Sequence, residues 1–390
     1  MSLDFDSARL PNSCLTSEHN EWRAQLRRFF DREVIPFAAG WDENGAIPDD
    51  LWTKAAEVGL LGLGYPEEFG GTSEGIDVWH SIILNEEMAR VAVGGVGATL
   101  MVHGIGLPPV INFGSDAIKQ MVAPPVLAGT KRISLAITEP GGGSDVAQLQ
   151  TTARLDGDHY VVNGSKTYIT GGMNANWFTT AVRTGGEGSS GVSTLLIPAD
   201  AEGVTRTSLD KKQGWWCSDT ATIYFDNVHV PVGNLLGQEN KGFSVIMNNF
   251  NSERLAMSAS MEAFSRVCLE DAVIWARERK TFGKRLADHQ VIRHKIAEMK
   301  QRINATQAYL QLTCQQIQAG NENAGDIALL KVQCSQTMEF CAREAMQILG
   351  GGGYMRGNRV ERIYREVRVN AIGGGSEEIM RDLAARQFGL

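Results

Sequence analysis

The sequence predicts an α+β protein in three parts: an N-terminal helical domain over residues 1–130, a middle β-domain over 131–236 and a C-terminal four-helix bundle over 237–390. Three observations predict it. Apolar residues recur at helical spacing before about residue 130 and again after 242, and runs of β-branched and aromatic residues replace them in between. The chain, at 390 residues, is also too long for one simple core.

In the first part, Thr16 or Ser17 caps a helix with apolar positions Trp22, Leu26, Phe29, Phe30 and Val34, expected to end near Pro36. Tyr65 to Gly71 reads as a turn. In the middle part, Tyr160-Val161-Val162, Thr179 to Val182, Val192 to Ile197 and Ala221 to Phe225 read as strands, with Asp156-Gly157 and Asn163-Gly164 as hairpin turns. In the last part, Phe243, Ile246, Phe250, Met257, Met261, Phe264 and Cys268 form a helical stripe. Similar stripes over about 288–318 and 323–349, and another after Ser376, complete the bundle.

Composition narrows the function. A net charge of −8 argues against nucleic acid as the main partner. Six cysteines without CxxC spacing suit a reduced, cytoplasmic chain with buried thiols. The N-terminus has no basic and apolar leader pattern, and no apolar run approaches the roughly 18 residues of a membrane span.

Two loops carry chemistry. Thr138-Glu139-Pro140-Gly141-Gly142-Gly143-Ser144-Asp145 opens the β-region, and Asn163-Gly164-Ser165-Lys166-Thr167-Tyr168-Ile169-Thr170 follows it. A glycine-rich turn lets hydroxyls and backbone N–H groups approach a pyrophosphate closely, although an ordinary turn would look the same. Further on come Arg279-Lys280-Thr281-Phe282-Gly283-Lys284 with His289-Gln290, and Gln347 to Gly351. Glu253 stands on the apolar stripe, and its neighbours three and four residues away, Asn249, Phe250, Ala256 and Met257, include no base. That is either a carboxylate with a distant partner or a general base.

Taken together, these motifs resemble the acyl-CoA dehydrogenase family over roughly residues 16–390, with TEPGxGSD, NGxKxWIT and RxTFG…Q in matching order. The resemblance implies FAD, with Thr138, Ser144, Tyr168 and Thr170 on the flavin; Tyr168 stands where tryptophan is commoner. It implies that Arg279, Thr281, Phe282, Gln290, Gln347, Gly350 and Gly351, together with Ser376 and Glu378, bind cofactor, the Arg279 and Gln347 segments across a subunit boundary. A homotetramer, a dimer of dimers, follows from that implication, with an acyl-CoA substrate and an electron-transferring flavoprotein as acceptor.

The C-terminal Asn370-Ala371-Ile372-Gly373-Gly374-Gly375-Ser376-Glu377-Glu378 is similar to the family's ending, but Gly374 occupies the place where many members keep a catalytic glutamate. Long-chain and isovaleryl-CoA dehydrogenases resemble this chain in carrying the base on an earlier helix, in a Glu-Arg pair, with glycine or alanine at the late position. Glu253-Arg254 with Gly374 reproduces that exchange. The resemblance therefore implies Glu253 as the base that removes the Cα proton while a hydride leaves Cβ for flavin N5. It implies the Gly374 N–H on the thioester oxygen, Arg254 shaping the site, and a roomier cavity for long or branched acyl groups. An oxidase or monooxygenase of the same fold, using oxygen directly, is the alternative.

Overall fold

A computed structural model describes residues 3–390, and in it the chain forms two compact units, neither continuous in sequence. One gathers the residues up to Ala39, Asp77–Gly94 and Arg254–Leu390; the other gathers Gly40–Ile76 and Gly95–Glu253.

The first unit is helical. Its principal helices are α1 (Ser17–Phe29), α2 (Val78–Ala89), α3 (Phe250–Glu278, in this unit from Arg254), α4 (Gln290–Gln318), α5 (Ala324–Leu349), α6 (Arg359–Ile372) and α7 (Glu377–Gln387). The sequence stripes explain their packing. Met261, Phe264 and Cys268 of α3 share a core with Met299 and Ile303 of α4, Cys334 and Met338 of α5, and Ile363 of α6. Each large apolar side chain buried there contributes about 1.5–3 kcal/mol relative to exposure.

Both N-terminal caps are unusual. Thr16 caps α1 and Asp77 caps α2, and in each case a histidine at the third helical position closes the box where Glu or Gln is the norm. His19 Nδ1 accepts from the Thr16 N–H at 3.0 Å, which leaves Nε2 to meet Asp77 Oδ1 at 2.9 Å. His80 Nδ1 lies 2.9 Å from the same oxygen. The expected stop near Pro36 is not found. A single π-turn over Phe30–Val34 shifts the hydrogen-bond register, and a second helical segment, Ile35–Asn44, accommodates Pro36 near its start, where a missing N–H costs little.

The second unit is built on a seven-stranded sheet. Its strands are β1 (Ile133–Ala136), β2 (Thr152–Asp156), β3 (His159–Thr170), β4 (Trp177–Arg183), β5 (Val192–Pro198), β6 (Val204–Ser208) and β7 (Thr220–Pro231), in the order β1-β4-β2-β3-β7-β6, with β5 on β4. The β2–β3 hairpin forms where Asp156-Gly157 predicts one, with Asp156 paired to His159 and the two turn residues being Gly157-Asp158. Asn163-Gly164 does not turn the chain. It lies within β3 at a register irregularity, where a Cβ on Gly164 would stand 2.7 Å from Thr151 Cα, so the glycine serves close backbone approach. Short helices, including Asp116–Leu127, cover Ile133, Leu196 and Leu236 with Leu107, Val110, Ile118 and Val122.

The paired tryptophans have a structural account in this unit. Trp215 adopts φ +56°, and the Trp216 indole N–H donates to Lys212 O at 2.9 Å. The turn they form abuts Gly95, where an added Cβ would meet Cys217 Sγ at 2.7 Å.

His103 is buried in the second unit with Nε2 3.0 Å from Leu61 O and Nδ1 3.2 Å from Leu100 O. Burial lowers its pKa to about 4, and the two carbonyls offset only part of that. The unfolded chain then binds a proton below about pH 6.5 that the folded chain refuses, so stability is fully present above 6.5 and is lost as pH falls toward 4. We expect His103→Gln to remove about 2 kcal/mol of the stability loss between pH 7 and pH 5, measured by urea unfolding at both pH values.

All six cysteines are free, and five are buried. Among the described residues no single helix is long and apolar enough to cross a membrane.

Candidate active site

In the second unit the two glycine-bearing motifs are sewn together by one buried ion pair. Lys166, fully buried on β3, donates to Glu139 Oε1 at 2.7 Å and to Ile137 O at 3.1 Å. The Glu139 carboxylate also accepts from the backbone of Gln150 at 2.6 Å and Thr151 at 2.9 Å. The Thr167 N–H donates to Thr138 O at 2.8 Å. Burial draws Lys166 down to about 8, with the Glu139 charge opposing it. Burial pushes Glu139 up, but the Lys166 charge and the hydrogen bonds outweigh it and hold the carboxyl below its usual range. The pair thus fixes the Thr138 loop against the strand carrying Tyr168.

Ser144 and Tyr168 are exposed, and Thr138 and Thr170 are half-buried. The β3–β7 register slips between Lys166 and Ile169, and within that bulge Tyr168 takes φ +58° with 70% of its surface exposed. Among the described residues, the hydroxyls of Thr138, Ser144 and Thr170 make no hydrogen bond. An exposed ring, three uncommitted hydroxyls and open space at Gly141 and Gly142 make a donor set suited to a flavin and its phosphates.

Removing the pin is expected to loosen this whole array. Lys166→Met leaves a buried carboxylate without its cation, a loss of about 3–5 kcal/mol when a buried pair is broken. The purified variant should retain less than a tenth of the wild-type flavin per chain, read from its visible absorbance. Double replacement with Glu139→Gln should recover part of it.

Glu253 also belongs to the second unit, half-buried in the first turn of α3. Its N–H donates to Asn249 O at 3.3 Å, and the Asn249 amide is itself anchored on Gly104 O at 3.1 Å. The positive end of the helix dipole favours the ionised carboxylate there, the form a base requires.

In the first unit, α6 ends at Ile372 and the chain crosses three glycines before α7. Gly373 N–H donates to Val369 O at 2.7 Å, Arg254 Nε donates to Gly374 O at 3.1 Å, and Lys331 Nζ donates to Gly375 O at 2.7 Å. Ser376 then caps α7, accepting from Ile379 N–H at 3.4 Å. Gly374 and Gly375 sit at φ +67° and +105°. Among the described residues, the Gly374 N–H has no acceptor, so it is available to a ligand oxygen. The volume beside Gly374 is not empty. A Cβ there would stand 2.9 Å from Met257 Sδ, so part of the room vacated by a side chain is taken by this methionine.

Comparison with known proteins decides the family. Acyl-CoA dehydrogenase domain families match along the chain: the N-terminal domain over 16–130, the middle domain over 134–228 and the C-terminal domain over 240–389. The chain belongs to the acyl-CoA dehydrogenase family. It is 36% identical to an acyl-CoA dehydrogenase of Alternaria alternata, over 97% of this chain and 93% of that one. It is 34% identical to the mitochondrial long-chain specific acyl-CoA dehydrogenase of Sus scrofa, over 96% and 87%. The crystal structure of a probable acyl-CoA dehydrogenase from Mycobacterium abscessus superposes with a TM-score of 0.93 at 44% identity, covering 96% and 99%. The expected fold and the FAD-dependent dehydrogenation of an acyl-CoA therefore hold for this chain.

As an acyl-CoA dehydrogenase, the chain presents its other motif residues at a surface of the first unit. Strands β8 (Lys280–Thr281) and β9 (Lys284–Arg285) form a hairpin whose tip, Phe282, has φ +51° and is 96% exposed. Arg279 and Gln290 flank it, both exposed, and Thr281 Oγ1 meets His289 Nε2 at 3.3 Å. Gln347, Gly350 and Gly351 are exposed at the end of α5, followed by Tyr354 at 83% exposure. Glu378 is exposed in the first turn of α7.

Sequence reasoning missed three residues that shape these sites: Lys166, Lys331 and Met257. Lys166 had a readable signal, because its parity on β3 matches the inward Tyr160 and Val162, where a lysine demands a partner.

Proposed function

We propose that Glu253 removes the Cα proton of the acyl-CoA while the Gly374 N–H holds the thioester oxygen. The observation that carries this reading is the Gly374 N–H, uncommitted in a turn that is held by the Gly373 N–H and by the Gly374 and Gly375 carbonyls. A donor fixed before reaction stabilises the enolate-like charge that grows on that oxygen. Arg254 holds the same turn and so shapes the site. As the Cα proton goes to Glu253, the acceptor for the Cβ hydride would be supplied by FAD. Thr138, Ser144, Tyr168 and Thr170 would hold it, with Ser376 and Glu378 as further contacts.

The exposed Arg279-Thr281-Phe282 hairpin with Gln290, and the Gln347–Gly351 segment, support cofactor contacts made by a second copy, hence a homotetramer. Free thiols support a reducing, cytoplasmic setting. Similarity to long-chain specific relatives and the absence of a side chain at Gly374 support long or branched acyl groups, and family membership supports an electron-transferring flavoprotein as acceptor.

Anaerobic titration of the holoenzyme with straight, branched and cyclic acyl-CoAs tests the substrate reading. Bleaching fastest with short straight chains would sink it. Stoichiometric peroxide without any need for an added acceptor would replace the dehydrogenase reading with the oxidase one.

A further inference from the structure

We propose that Lys331 is a positioning residue for the dehydrogenation, locking the Gly373–Ser376 turn so that the Gly374 N–H faces the thioester oxygen. The proposal rests on the carbonyl-holding role given to Gly374 above. Lys331 lies in the N-terminal third of α5, on the buried stripe made by Ile327, Leu330, Cys334 and Met338. A lysine there is costly, since a methionine would fill the same stripe without desolvating a charge. Its side chain is fully buried, and its ammonium donates to Gly375 O at 2.7 Å.

The turn needs such an anchor because it cannot hold itself. Gly373, Gly374 and Gly375 carry no side chains to pack, and glycine at positive φ moves between conformations at little cost. Rotation of one peptide plane would carry the Gly374 N–H away from a bound ligand. Two cations from two helices prevent it by gripping consecutive carbonyls, Arg254 of α3 on Gly374 and Lys331 of α5 on Gly375. Charge-assisted hydrogen bonds of this kind are about twice as strong as neutral ones. Lys331 need not touch the substrate. It acts through the direction of the backbone.

The test uses the full-length FAD-loaded enzyme carrying Lys331→Met or Lys331→Gln. With flavin content unchanged, bleaching at saturating acyl-CoA should slow on the order of 10- to 100-fold for the methionine variant with KM little altered, the size expected of a misplaced group. The glutamine variant, whose amide still donates, should fall between. In a Glu253→Gln background, where turnover stops, the infrared stretch of a 13C-labelled thioester carbonyl reports the hydrogen bond directly. It should shift down on binding when Lys331 is present and shift less in Lys331→Met. An unchanged carbonyl shift and unchanged kcat in both Lys331 variants would overturn the proposal, whatever happens to the melting temperature. No shift even with Lys331 intact would overturn the Gly374 reading itself, and the two failures are told apart by that control.

Discussion

Glu253→Gln is expected to abolish flavin bleaching by acyl-CoA, slowing it about 1,000-fold or more under anaerobic conditions while leaving FAD bound and the protein folded. A general base is worth roughly 10²–10⁴ in rate, so a thousandfold loss corresponds to about 4 kcal/mol of barrier. The isosteric amide keeps the shape of the first turn of α3 but cannot take a proton. Stopped-flow absorbance of the flavin checks it. Glu253→Asp, which keeps the charge and withdraws it by one methylene, should retain a measurable fraction. Wild-type bleaching in Glu253→Gln would move the base elsewhere. A loss of bound FAD would instead point to a structural role.

How far the sequence alone reaches depends on whether a feature is local. Thr16 as a cap and a hairpin at Asp156-Gly157 are set by neighbouring residues, and both are present, the turn falling one residue later on Gly157-Asp158. The stripes over about 288–318 and 323–349, and the change to β-branched runs, report burial in repeating geometry and were equally legible. The stripe from Phe243 to Cys268 instead divides between two helices and two cores, and Arg359–Ile372 was not read as a helix. Features set by distant residues were not legible. Gly164 looks like a turn until Thr151 is seen against it. Pro36 looks like a stop until the π-turn before it is known. Lys331 and Lys166 differ from solvated lysines only through the carbonyl and the carboxylate that meet them from other elements. Both stand at inward positions of a regular pattern, and that conflict between residue type and periodicity was the available clue.

The second large effect concerns the exchange between Gly374 and Glu253. Gly374→Glu is expected to destroy activity rather than duplicate the base, and adding it to Glu253→Gln is expected to rescue nothing. Two obstacles stand at the position. The backbone there sits at φ +67°, a conformation that costs a side-chain-bearing residue about 1–2 kcal/mol. The new Cβ would also stand 2.9 Å from Met257 Sδ, so the methionine must swing away before any carboxylate fits. Relieving either strain by rotating the turn would break the grip of Arg254 and Lys331 on consecutive carbonyls and displace the Gly374 N–H. We therefore expect Gly374→Glu to fall at least 100-fold in bleaching rate, the scale set by losing one preorganised oxyanion donor. Met257→Ala removes one obstacle only, so the triple replacement Glu253→Gln, Gly374→Glu, Met257→Ala should recover a small rate above the double. If the Glu253→Gln, Gly374→Glu pair bleaches at near wild-type speed, the late position is competent for a base as it stands. The glycine would then be a neutral vacancy, and the methionine beside it and the cations behind it would have no share in keeping the base on α3.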